Sequence, residues 1–132
     1  MTPDNVAIVR GAYDAFKNGE LQYMKNHAAP DFVMKTSSAT DGTEHYGPEA
    51  IEEISRVITA RWDEFRLEPL EFYYEGDRVL VLGTLVTKGH EEGLASTVGQ
   101  VWTLKDGKVT SVEGFLDSEE AIRAAGLTRL LI

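Results

Sequence analysis

The sequence contains no cysteine. That removes disulfide frameworks, thiol nucleophiles and cysteine-bound metals, and it fits a reducing compartment such as the cytoplasm. Only three histidines occur, His27, His45 and His90, too far apart for the close spacing of a metal site, so no metal is expected. Long apolar runs are missing too. The longest, Val79–Val86, is strand length, well short of the ~20 residues that span a bilayer. Met1-Thr2-Pro3-Asp4-Asn5 lacks both the basic and the apolar part of a secretory signal. Positive charge is scarce: 13 Lys and Arg stand against 22 Asp and Glu, a net charge of −9. Such a surface repels phosphate backbones and anionic lipid, which argues against nucleic acid and membranes as partners. Serine-nucleophile and phosphate-loop signatures, internal repeats and low-complexity tracts are absent as well.

What is present reads as one globular domain spanning residues 1–132, long enough to build its own core. Asp4 or Asn5 caps a first helix from about residue 5 to Lys17, with Val6, Val9, Tyr13 and Phe16 at helical spacing. Asn18-Gly19 stops it. A short second helix turns Leu21, Met24 and Ala28 inward and ends near Pro30. Asp31–Thr36 alternates as a strand, with Phe32, Met34 and Thr36 on one face. A polar loop, Ser37–Gly47, leads to Pro48, well suited to open a third helix. Ile51, Ile54, Ile58 and Trp62 form that helix's core face.

Four strand-like segments follow: Leu70–Tyr74, Arg78–Thr87, Ala95–Leu104 and Val109–Leu116. A loop at Gly89–Gly93 separates the second and third. Asp106-Gly107 is a strong hairpin signal between the last two. Asp117 or Ser118 then caps a terminal helix that stops at Gly126. Helices first and an antiparallel meander second make an α+β fold. The expected architecture is a curved antiparallel sheet of four to six strands forming a cone-shaped barrel. Three helices from the N-terminal half cover it, and a short C-terminal helix completes it. The mouth of such a cone suits a small apolar molecule.

Four stretches then carry a resemblance. They are Val9-Arg10-Gly11-Ala12-Tyr13-Asp14-Ala15-Phe16 with Gly19-Glu20; Ala29-Pro30-Asp31-Phe32; Tyr46-Gly47-Pro48-Glu49-Ala50-Ile51; and Val101-Trp102-Thr103-Leu104-Lys105-Asp106-Gly107-Lys108-Val109, continued by Phe115-Leu116-Asp117 and Glu120-Ala121-Ile122 through Ala125-Gly126-Leu127. Together they resemble the nuclear-transport-factor-two-like superfamily, in its SnoaL-like polyketide cyclase and steroid delta-isomerase branch. The resemblance implies a cone-shaped α+β barrel and a homodimer packed through the outer sheet face, where Val101, Thr103 and Phe115 point. It also implies either cofactor-free proton-transfer chemistry (isomerisation, cyclisation or dehydration) or a non-catalytic binding module. Fold alone does not choose between these.

Residue by residue, the resemblance places the isomerase base at or beside Thr36, its second acid at Gln100 and its tyrosine near Ala12, one residue before Tyr13. All three depart from the isomerase pattern, which needs a carboxylate base and an acid beside the enolate, and this argues against steroid isomerisation. Acid–base work of the cyclase or dehydratase kind points instead to Glu113 and His27. If Gln100 and Trp102 face inward, pairing around Asp106-Gly107 turns Val112, Gly114 and Leu116 inward and Glu113 outward; a one-residue bulge would reverse this. Ligand contacts are expected from Tyr13, Phe32, Met34, Thr36, Leu82, Gln100 and Trp102. Of these Gln100 is the most suggestive, because a buried amide costs free energy unless it is paired. His45 and His90 read as solvated loop residues.

Overall fold

The computed structural model describes residues 3–37, 40–89 and 94–126. Among them the elements run α1 (Pro3–Lys17), α2 (Leu21–His27), β1 (Ala28–Lys35), β2 (Glu44–Tyr46), α3 (Ala50–Arg61), β3 (Trp62–Glu75), β4 (Arg78–Gly89), β5 (Leu94–Lys105), β6 (Lys108–Phe115) and α4 (Ser118–Ala125). The chain is α+β, as expected. His90 and the rest of the loop after Gly89 lie outside the described residues, as does Leu127.

All six strands form one curved, unclosed sheet in the order β2-β1-β6-β5-β4-β3. It is not a closed barrel, nor is it wholly antiparallel. β1 runs parallel to β6, with Met34 opposite Val112 and Lys35 opposite Glu113. The whole meander separates these two strands, so no tight turn dictates their relative direction. The other ladders are antiparallel.

Two strands differ from expectation. The short β2 lies inside the segment read as polar loop and pairs with β1. β3 starts at Trp62 rather than near Leu70, so Trp62 begins a strand instead of completing a helix. In the sequence Pro69 reads as its start. The sheet order puts β3 at an edge, where a residue without an N–H is tolerated, and the ladder to β4 slips between Pro69 and Glu71.

The concave face carries α1, α2 and α3. Val9 and Tyr13 of α1, Ile51 and Ile54 of α3, and Val79 and Trp102 of the sheet meet in one buried cluster. The opposite face holds a smaller cluster in which Leu80 and Val101 are sealed by Ala121 and Ala125 of α4. Asp117 caps α4 through its side chain, accepting from the Glu119 N–H at 2.9 Å, and Gly126 ends it in the left-handed region. Val101 and Phe115, expected to face a second copy, are therefore packed against this chain's own helix. The β3–β4 end of the sheet bears an exposed charge ladder, with Arg66 at 3.4 Å from Glu64 and 3.9 Å from Glu68, and Lys88 at 3.6 Å from Glu64.

α4 approaches so closely because position 99 has no side chain. A Cβ on Gly99 would lie 2.4 Å from the Ala121 Cβ and 3.2 Å from Leu82 Cδ2. Ala121 is fully buried and cannot yield without moving its helix. Gly99→Ala should therefore destabilise the fold by about 1–3 kcal/mol, the usual cost of overpacking. Urea unfolding checks this, and a midpoint equal to wild type would show that α4 can move away from β5 at little cost.

Candidate functional site

Between the helices and the concave face lies a cavity of about 140 Å³. Its walls follow from the local periodicities. Ala12, Tyr13 and Phe16 come from one stripe of α1, and Leu21 and Met24 from α2. Ile51, Ile54, Ser55 and Ile58, spaced three, four and seven, come from α3. The sheet supplies alternate residues: Val98, Gln100 and Trp102 of β5, and Val112 and Gly114 of β6. Phe65 and Leu67 of β3 close the far side, and Phe65 meets Phe16 edge-on with centroids 6.1 Å apart. The cavity reaches solvent where the exposed Phe16 and Glu20 join its rim.

A single hydrogen-bonded chain crosses this apolar space. The Trp102 Nε1–H donates to the Tyr13 hydroxyl at 3.3 Å, and that hydroxyl donates to Gln100 Oε1. An indole N–H can only donate; the Tyr13 oxygen accepts it, and the phenol proton goes to the amide oxygen of Gln100. Its Nε2 is left pointing elsewhere, with no hydrogen-bond partner among the described residues. It is not sealed in protein either, since no fully buried side-chain nitrogen or oxygen among the described residues lacks a partner. Gly114 leaves room beside it, because a Cβ there would stand 4.0 Å from Nε2. Burial drives the Tyr13 phenol far above its usual range, only partly offset by the Trp102 N–H. Tyr13 therefore keeps its proton and cannot serve as a base.

The register of β5 and β6 decides what else looks inward. Lys105 pairs with Lys108 and Leu104 with Val109, but Thr103 pairs with Ser111, so Thr110 is skipped. Its hydroxyl donates to the Thr103 carbonyl at 3.1 Å. Because of this bulge Gln100 stands opposite Gly114, and Trp102 opposite Val112. Uninterrupted pairing would have put Glu113 opposite Gln100. The expected pairing around Asp106-Gly107 turned Glu113 outward without a bulge and inward with one; in the structure the bulge is what keeps it out.

A polar knot sits at the end of β1. Thr36 Oγ1 donates to Asp41 Oδ1 at 2.7 Å, and the Thr43 hydroxyl and N–H reach the same oxygen at 2.8 and 3.1 Å. His45 is not a free loop residue: its Nε2 lies 2.9 Å from Asp41 Oδ2 and its Nδ1 3.2 Å from Glu53 Oε1. Burial pushes the Asp41 carboxyl up. Hydrogen bonds from Thr36, Thr43 and His45 outweigh it and hold the group down at about 2.

The structure brings Tyr13, Met34, Thr36, Gln100 and Trp102 together around the cavity, but two of their roles change. The Tyr13 proton is taken by Gln100, and the Thr36 hydroxyl is committed to Asp41. Phe32 is fully buried in the main core and does not line the cavity. Leu82 is on the other face, packed toward α4, because Val79 and Val81 set the inward phase of β4. His27 is outside the cavity at the end of α2, its Nδ1 2.8 Å from the Tyr23 carbonyl and its ring stacked on Tyr23. Glu113 points away with Val101, its partner across the ladder. The sequence reading missed Ser55 and the β3 wall. The signal for Ser55 was there: it follows Ile51 by four and precedes Ile58 by three, inside an apolar stripe.

The SnoaL-like domain profile matches residues 9–112 of the chain. An NTF2-like protein of unknown function from Burkholderia pseudomallei is 25% identical, over 96% of this chain and 100% of that one, with a TM-score of 0.79. A candidate polyketide cyclase from Sinorhizobium meliloti is 26% identical over 82% of this chain and 93% of that one, with a TM-score of 0.68. TerC, co-crystallised with polyporic acid, shares the fold at 23% identity, covering 94% of this chain and 99% of that one with a TM-score of 0.77. No curated protein matches the chain.

Two measurements test this geometry. Gln100→Leu strands the Tyr13 hydroxyl in an apolar wall, and should cost about 1–3 kcal/mol. Adding Tyr13→Phe also takes the acceptor from the buried Trp102 N–H, so the double variant should stay destabilised but by less than the sum of the two single losses, and the double-mutant cycle reports coupling. Additive losses would mean that the two side chains do not meet. The second concerns acid. Asp41 is held below its ordinary 3.8 in the fold. Its contribution is therefore complete above about pH 4 and lost as pH falls toward 2. Asp41→Asn should flatten the fall in urea midpoint across that window relative to wild type; an equal slope would place the acid sensitivity elsewhere.

Proposed function

Because the chain belongs to the SnoaL-like family, we propose that its cavity binds a small, largely apolar molecule through a carbonyl, and that it binds this molecule without transforming it. The observation that carries the reading is the Gln100 Nε2, a hydrogen-bond donor left without a protein partner beside an apolar cavity. The donor is open to the cavity rather than sealed in protein, so a ligand carbonyl can take the place of water on it. The oxygen of the same amide is fixed by Tyr13, so the donor is aimed before the ligand arrives.

Size narrows the class further. A cavity of about 140 Å³ is near the ~150 Å³ of an engineered cavity that takes benzene, and well below the ~300 Å³ at the low end of drug-sized pockets. A single ring fits. TerC, a protein of this fold, was crystallised with a small organic molecule, which supports a binding role.

Proton-transfer chemistry lacks a suitable group. Among the described lining residues only Tyr13, Glu20 and Lys35 are ionisable. Tyr13 holds its proton, and Glu20 and Lys35 are exposed. General acid–base catalysis needs a group titrating near the working pH, within reach of the reacting atom.

Acetophenone and ethylbenzene separate the terms, since they differ chiefly in the carbonyl. Acetophenone should bind about tenfold tighter to wild type, the worth of one hydrogen bond. The Tyr13→Phe/Gln100→Leu double variant should lose that preference while still taking ethylbenzene. Equal affinities in wild type would overturn the carbonyl reading. Accelerated exchange of the acetophenone methyl protons in heavy water would overturn the non-catalytic one.

A further inference from the structure

The cavity wall opposite the sheet contains a second unused polar group. On α3 the inward stripe is Ile51, Ile54, Ser55 and Ile58. Ile51 and Ile54 are buried, and Ser55 sits among them half-buried. A serine inside a helix usually satisfies its hydroxyl on the carbonyl four residues back. One turn on, Thr59 does this, donating to the Ser55 carbonyl at 2.8 Å. The Ser55 hydroxyl makes no such bond and has no hydrogen-bond partner among the described residues. Packing alone does not account for a hydroxyl here, since alanine is the better helix former and isoleucine the better filler.

Gln100 on β5 and Ser55 on α3 thus border one small cavity from opposite layers of the fold, each with a polar group to spare. The amide nitrogen only donates; the serine hydroxyl donates and accepts. The other groups between them are mainly hydrocarbon. A ring bearing a carbonyl alone answers one of these groups and leaves the other without a partner. Resting on the carbonyl-binding reading above, we infer that the ligand is a monocyclic compound oxygenated at two positions, with its carbonyl on Gln100 and a hydroxyl on Ser55. Hydroxyaryl ketones are the simplest members of that class. Ser55 is then a specificity-determining residue: it selects among rings of equal size by the position of the second oxygen.

The test compares acetophenone with ortho-, meta- and para-hydroxyacetophenone by calorimetric titration of wild type and Ser55→Ala. The variant removes only the hydroxyl and favours the helix, so folding is retained. One isomer should bind wild type about five- to tenfold tighter than acetophenone, the gain from one hydrogen bond. In Ser55→Ala the affinity ratio of that isomer to acetophenone should fall to about one. If no isomer exceeds acetophenone, or if the gain survives in Ser55→Ala, two-point recognition is wrong even though single carbonyl binding stands. Binding by none of the four compounds removes the carbonyl reading and this one with it.

Discussion

The skipped residue at Thr110 governs the site. Side chains alternate along a strand, so a one-residue slip moves a whole set to the opposite face. Leu104 pairs with Val109 and Thr103 with Ser111, so the slip falls between the hairpin turn and the cavity. Everything beyond it inherits the new phase. Gly114 and Val112 come to face Gln100 and Trp102, and Glu113 goes to the other surface. Because β1 pairs with β6, the choice spreads sideways: Met34 lies opposite Val112 on the cavity face, and the exposed Lys35 lies opposite Glu113. Without the slip a carboxylate would stand opposite Gln100 inside an apolar space. It would compete with the Tyr13 hydroxyl for the amide and raise the cost of closing the cavity. The bulge therefore separates a neutral binding cavity from one with an internal acid.

The neutral cavity still has to accommodate a phenol, an indole and an amide. Three polar groups in a hydrophobic wall are tolerable when each finds a partner. Trp102, Tyr13 and Gln100 satisfy one another in series, and the series ties α1 to β5. Aromatic contacts reinforce the same junction, with Tyr13 tilted against Trp102 at 5.6 Å and edge-on to Phe72 at 6.2 Å. The chain of donors has a direction, and it ends on the amide nitrogen. With its oxygen taken by Tyr13, the amide has its nitrogen free to donate into the cavity. The unused donor is thus a consequence of how the other two groups are satisfied.

Much of this was legible in the residues, and the exceptions have physical causes. The limits of β4, β5 and β6 follow their turn signals closely, and α4 begins and ends where Asp117 and Gly126 indicate. β3 lost its first half because Trp62-Asp63-Glu64-Phe65-Arg66 mixes charge with aromatic residues, and because Pro69 looks like a beginning unless the strand is known to be an edge. Alternation located Gln100, Trp102 and Met34 correctly. It failed for Leu82, since a run as uniformly apolar as Val79–Leu82 carries no phase of its own. That phase comes from α4, which needs Leu80 and Val101 on its side. The parallel join of β1 to β6 and the slip at Thr110 depend on contacts between distant segments, and no local pattern announces them.

β5 is held from both sides where it borders the cavity. Residues 98, 100 and 102 face the cavity, while Val101 lies beneath α4 and Gly99 lets Ala121 come against the backbone. A strand gripped this way has little freedom to shift, and Gln100 is further fixed through its oxygen. α3 is likewise anchored, with Ala50, Ile51 and Ile54 buried and Lys25 of α2 paired to its Glu52. The two polar points of the cavity are thus carried by a strand and a helix rather than by loops, the arrangement that gives a binding site its precision. On the proposed reading, ordering costs on binding are small, the apolar surround supplies affinity, and the amide and the hydroxyl supply selection.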